Sequence, residues 1–239
     1  MCGFIYNVAS FPLLEPLFDI AGYEEEQIRE ILTKQFLRPT DTVLNLIPTR
    51  SGPFIMPATW WLATGADGKI NPKVTSFNAQ SRRLTTAKIH QQKPRSIRSV
   101  VLASGFCEWQ PITIQDDLLD GAVSKTIQKK QMLIELSDSK LMLMGAVSKL
   151  RLKADGTPQV NTAVITLPTH PDFATIHEQS FPLLLHASEL TDWLNPELPM
   201  EHFSQLLLTT ELRMDIEITH VDRDLHPLSK PDNLKAKPE

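Results

Sequence analysis

Apolar and polar positions alternate in short bursts along most of this chain, and only one stretch keeps a clear helical period. Residues 24–37 place Ile28, Ile31, Leu32 and Phe36 at i, i+3, i+4 and i+8, one apolar face, which predicts a helix. Three glutamates open it, where the helix dipole favours them, and Pro39 is the expected stop. Strands are expected over 2–9, 42–47, 58–64, 99–109, 132–136, 141–149, 162–167 and 216–221. Gly105, inside the apolar run 99–109, marks a bulge or a close backbone approach. The polar stretch 111–130 reads as a variable hairpin loop. Short helices are expected over 84–92, over 188–194 with Ser188 as N-cap, and over 200–208. Strands outnumber helices and do not alternate with them, which predicts an α+β fold. No repeat and no Pro/Gly/Ser linker divides the chain. One domain over 1–228 is expected, followed by a disordered tail, SKPDNLKAKPE, over 229–239.

Composition narrows the class. With 41% hydrophobic and 22% charged residues over 239 positions, the chain has a sizeable core, and a disordered or fibrous protein is excluded. No apolar run approaches the ~18 residues of a membrane span, so no membrane association is expected. Two cysteines, Cys2 and Cys107, exclude a disulfide framework, although one bridge is arithmetically possible. The N-terminus lacks the basic and apolar regions of a signal peptide, and a reducing cytoplasmic setting is expected.

The net charge of -4 is unevenly spread. From Lys69 to Cys107 there is no acidic residue, while eight of the 24 Lys and Arg fall there, among them Arg82, Arg83, Lys88, Arg95 and Arg98. Such a segment is either a footprint for a polyanion or a set of partners for acidic groups elsewhere.

Four residues carry candidate chemistry. Cys2 is either incidental or, once Met1 is removed, an N-terminal residue with both a free amine and a thiol. The amine attacks aldehydes, and the thiol closes a thiazolidine ring or attacks an acyl carbon. Asn78 follows an apolar segment in FNAQSRR. Glu108, in GFCEW, is a carboxylate in an apolar strand, where it is paired, exposed or a proton-transfer group. His177, between two apolar runs, is either a satisfied core or turn residue or an acid–base group. Trp60, Trp61 and Trp109 either stack on bases or pack in the core. The seven histidines and two cysteines show no zinc spacing, and there is no phosphate-binding glycine loop.

In order along the chain, MCG at 1–3, IPTR at 47–50, WWL at 60–62, FNAQS at 77–81, SGFCEW at 104–109, LPTHPDFATIH at 167–177 and FPLLL at 181–185 resemble the SOS-response-associated peptidase family, the abasic-site shielding proteins. The resemblance spans most of the chain through residue 194. It implies a single α+β domain built on a distorted, mostly antiparallel β-barrel flanked by short helices. It also implies covalent capture of the ring-opened abasic aldehyde in single-stranded DNA, with Cys2 as nucleophile after autocatalytic loss of Met1. Asn78 would hold the N-terminus and the sugar hydroxyls, and Glu108 would orient the amine and assist proton transfer. His177 would serve Schiff-base formation and reversal, with Thr166 as a neighbour. The DNA contacts expected on this resemblance are Trp60, Arg82, Arg83, Lys88, Arg95 and Arg98. No cofactor or metal is implied. The expected protein is a cytoplasmic monomer, associated with the nucleoid when bound to DNA.

Phe4, Gln80 and Gln179 stand where the family usually has basic residues, with Arg82 and Arg83 placed to substitute for Gln80. Two other readings start from the same residues. Class II glutamine amidotransferases also begin with Cys-Gly, but their Arg and Asn/Gly oxyanion pattern is missing here. A non-catalytic nucleic-acid-binding or protein-binding module would use the basic segment alone.

Overall fold

The computed structural model describes residues 3–65, 67–117, 123–138, 140–153 and 155–236. In chain order the elements are β1 (Ile5–Tyr6), α1 (Glu15–Phe18), β2 (Gly22–Tyr23), α2 (Glu25–Leu32), β3 (Phe36–Leu37), β4 (Thr42–Thr49) and β5 (Gly52–Thr59). There follow β6 (Asn78–Gln80), α3 (Lys88–Gln91), β7 (Ile97–Ala103), β8 (Gly105–Asp117), β9 (Val123–Leu136), β10 (Met142–Leu152) and β11 (Pro158–Leu167). The last are β12 (Phe181–Pro182), α4 (Leu190–Trp193), α5 (Ser204–Leu208), β13 (Ile216–Val221) and β14 (Asp232–Leu234).

Five strands, β5-β4-β7-β10-β11, form a barrel that a parallel bridge between Thr59 and Asn161 closes. The other pairings in it are antiparallel. A polar layer crosses its interior: Asn45 Nδ2 on β4 donates to Ser148 Oγ on β10, 2.9 Å away, and Ser148 also bonds Ser99 and Thr162. Around this layer the inward side chains Val43, Val101, Met144 and Val164 are fully or almost fully buried. They continue into a second sheet, β14-β13-β9-β8-β1-β3, through Ile5, Phe106, Ile134 and Ile218. The outward side chains Leu44, Val100 and Ile165 pack with Ile28 of α2, Trp193 of α4 and Phe203. The expected single α+β domain, a barrel with extra strands and short helices, is therefore the observed architecture.

Several local expectations are corrected. The run 99–109 is two strands in different sheets, broken at Ser104. A Cβ on Gly105 would lie 2.4 Å from Ile134 O, so the glycine marks a close approach at the point where the chain changes sheet. The helix ends at Leu32, because the buried Asn7 side chain donates to Ile31 O and Lys34 O and terminates it, freeing Phe36 to enter β3 beside β1. The strand expected over 58–64 lies at Gly52–Thr59. Pro53 and Pro57 disguise it, and they are tolerated because β5 has few partners beyond β4. Within 111–130, β8 and β9 extend as one long antiparallel hairpin, with 118–122 outside the described residues. The helix cap near 188 is His186, whose N–H donates to Glu189 Oε2 at 2.8 Å. The expected disordered tail is ordered in part: β14 pairs with β13, and Lys235 Nζ lies 2.7 Å from Asp215. Residues 237–239 lie outside the described residues.

Candidate functional site

Glu108 faces the same side of β8 as Phe106, toward the inner core, and is only 4% exposed. A loop between β11 and β12 brings His177 to it. Aromatic packing fixes that loop: Phe173 and Phe181 lie 4.8 Å apart between centroids, and both contact Phe106. His177 N–H donates to Phe173 O, and Gln110 Nε2 on β8 donates to Thr175 O at 3.2 Å. His177 Nδ1 then stands 3.5 Å from Glu108 Oε2, longer than a good hydrogen bond but within one small adjustment of it.

Burial pushes the Glu108 carboxyl up to about 7, against the opposing pull of the chain's N-terminal ammonium charge. Burial, with the same ammonium charge, pushes His177 down to about 4. Between those values both side chains are uncharged, so the contact is not an ion pair there. Its members respond to the charge at the chain start in a chemically useful way. Losing that charge raises both values, so each becomes a better base.

Beside this pair runs a cleft of about 720 Å³. Strand β6 forms one wall. It pairs in parallel with β11 and sets Asn78 opposite Val164 and Gln80 opposite Thr166. Phe77 O, which accepts from both Val164 N–H and Trp60 Nε1, anchors the start of that strand. Asn78, Gln80, Arg82, Arg83, Thr166 and Gln179 all line the cleft. The structure thus joins Glu108 to His177, and gathers Asn78 and Thr166 with the residues next to His177. Cys2 lies outside the described residues.

The expected DNA contacts divide. Arg82 and Arg83 are exposed at the cleft. Lys88 and Arg95 are exposed on the surface beyond its lining. Trp60 is corrected to a core residue: it is completely buried and has no free face for a base. Arg98 is also corrected. Its guanidinium donates to Trp193 O and Asn195 O and lies over the Phe203 ring, so it ties β7 to the α4 region. Trp61 is half-buried, while Trp109 is 45% exposed.

Sequence reasoning missed two groups here. Phe4 stacks on Phe36 with centroids 5.5 Å apart, and the Arg38 guanidinium lies 5.6 Å from the Phe4 ring, so a cation does stand near position 4. His90 lines the cleft next to Arg83, a placement that needs α3 to fold against β10 and has no local signal. Elsewhere, Cys107 is a buried thiol that burial pushes up to about 12, so it is not a nucleophile. Asp222, Asp224 and His226 cluster in an exposed turn where Asp222 already accepts the backbone N–H groups of the other two. Among the described residues no helix is long and apolar enough to cross a membrane.

The chain matches the family model of the SOS response associated peptidases over residues 1–227, and it belongs to that family. No curated protein matches it. Among solved structures it is similar to a protein from Bacteroides thetaiotaomicron, with 15% identity, 93% of each chain covered and a TM-score of 0.69. It is also similar to a protein from Bordetella bronchiseptica, at 14% identity and TM-score 0.65, covering 92% of this chain and 100% of that one. A phage-related protein from the same organism gives 16% identity and 0.57, covering 97% and 100%. At these identities the likeness is one of fold alone.

Proposed function

We propose that this protein captures abasic sites in single-stranded DNA by forming a thiazolidine with its N-terminal cysteine. The observation that carries the reading is the Glu108–His177 pair beside an open cleft, with both values lowered by the N-terminal ammonium charge. In the proposed sequence Cys2 Sγ first takes the Met1 acyl group from nitrogen, and water hydrolyses the thioester. The freed ammonium gives its proton to Glu108. A carboxylate near 7 is well matched to an α-amine at about 7.7–8.0, so this transfer is almost thermoneutral. As the positive charge leaves, the Glu108 value climbs and the proton stays there. The neutral amine adds to the C1′ aldehyde. Proton return from Glu108 or His177 lets the hydroxyl depart as water and leaves an imine. The thiol adds to the imine carbon and its proton passes to nitrogen, so the adduct forms with loss of one water. Asn78 orients the sugar hydroxyls, and Arg82 and Arg83 hold phosphates. All the groups come from one chain, so a monomer without cofactor suffices.

Intact mass tests this reading, measured before and after mixing with abasic single-stranded DNA. The expected results are a chain lacking Met1 and an adduct equal to protein plus DNA less one water. Cys2→Ser should give no durable adduct, because an oxazolidine hydrolyses readily. A heat-stable adduct from Cys2→Ala, or from protein retaining Met1, would overturn it.

A further inference from the structure

Two acid-poor parts of the chain meet beside the cleft. One is residues 69–107 and the other is 140–171, where Asp155 is the single acidic residue. Asp155 is exposed and spends its carboxylate on Thr157 in the turn between β10 and β11. Arg83 and His90 line the cleft there. Lys149, on β10, is only 5% exposed, and its Nζ donates to Gln92 O at 3.3 Å, at the end of the helix that carries His90. Two residues on, Arg151 Nη1 donates to Gly65 O at 3.4 Å. Among the described residues no carboxylate pairs with Arg83, Lys149 or Arg151. Glu178, the acidic member of the cleft lining, is exposed beside His177.

Cations gathered with no counter-charge among the described residues repel one another. The effect is visible in both titratable members. Burial, then Lys149 and Arg83, push His90 down to about 4. Burial, then Arg151, push Lys149 below the usual lysine range. An incoming anion relieves that repulsion, and a partly desolvated anion gains more from it than one in water.

We propose that Arg83, His90 and Lys149 form a phosphodiester-binding subsite for a strand lying in the cleft, with His90 as its proton-linked member. The inference rests on single-stranded DNA occupying the cleft, but not on the covalent step. The charged groups facing His90 are Lys149 from β10 and Arg83 from the turn after β6. Lys88 shares its helix, and Ser96 Oγ lies 3.3 Å from its Nδ1. A phosphate that returns His90 to its ordinary value makes binding tighten about tenfold between about pH 7.5 and 5.5. Proton uptake accompanies binding, so the gain comes as pH falls.

The test uses an intact oligothymidylate without an abasic site, bound to the full chain carrying Cys2→Ala, so capture chemistry cannot contribute. Anisotropy should show the tightening at low pH. His90→Gln should remove it, while Glu108, which also titrates near 7, is unchanged in that variant. Lys149→Met and Arg83→Gln should each reduce the salt slope by ~0.7. Because Lys149 is buried, NMR titration of the His90 ring with and without oligonucleotide supplies a second readout, and its pKa should rise on binding. The proposal fails if His90→Gln keeps the pH dependence or the His90 ring titrates identically in both states. It fails equally if inorganic phosphate at the same phosphate concentration shifts His90 as far as the strand does.

Discussion

His177 and His90 occupy opposite kinds of surroundings and yet reach the same value, about 4. Burial is the first cause for both. The second cause differs. For His177 it is the ammonium at the chain start, a charge that the proposed reaction consumes. For His90 it is Lys149 and Arg83, charges that are permanent. His177 also faces a carboxylate 3.5 Å away, whereas no acidic group faces His90 among the described residues. On the proposed mechanism, one site changes its protonation as chemistry proceeds. The other changes only when an anion arrives. A depressed histidine by itself does not distinguish a proton-transfer site from a binding site; the lifetime of the charge beside it does.

The sharpest way to break this comparison is at Glu108. Glu108→Gln should slow capture by about 10²-fold or more, because it removes the base without vacating its volume. Single-turnover rates with abasic DNA check it, and an unchanged rate would erase the difference between the two regions. Next in size is Arg98, which lies in the basic segment but serves the fold. Arg98→Met should cost about 1–3 kcal/mol, by stranding two carbonyls, and leave the salt dependence of DNA binding unaltered. Denaturant unfolding and anisotropy together separate it from Arg83→Gln, which should do the reverse.

A smaller effect is the pH profile of capture. Glu108 acts as a base when ionised, so the rate should climb as pH rises through about 7. In Glu108→Gln what remains is the limb of the amine itself, at about 7.7–8.0. Stopped-time mass spectrometry from about pH 5.5 to 9 reads both, and an identical profile in the two proteins would refute the role of Glu108. The finest test is acetylation of the N-terminus. Removing that charge should raise the His177 pKa by NMR and leave His90 in place. Equal movement of both would mean that the two histidines share one field.

The sequence made some of this legible for identifiable reasons. Ile216–Val221 and the strands around β10 and β11 carry local apolar patterns that no tertiary contact overrides. The expectation that Glu108 and His177 meet came through the family motifs; periodicity alone left both open, and their partnership depends on Phe173 and Phe181 anchoring a loop. β5 was hidden because prolines, normally strand breakers, sit on a strand whose pairing beyond β4 is confined to short stretches. Trp60 and Arg98 misled for one shared reason: side-chain type suggests an outward role, while burial depends on strands far away in sequence. His90 and Lys149 meet across 59 positions, so no local window contains the cationic end of the cleft.

Gly105 has a further consequence, for what mutation can reach in this protein. Any side chain there meets Ile134 O at 2.4 Å and must pry β8 from β9, and Glu108 leaves that same strand three residues later. Displacing a reacting group by about 1 Å is enough to cost roughly 10²-fold in rate. A drifting lineage, or an engineer scanning for variants, would thus find position 105 closed even to alanine although it lies outside the cleft lining. The missing methyl group sets the aim of the carboxylate.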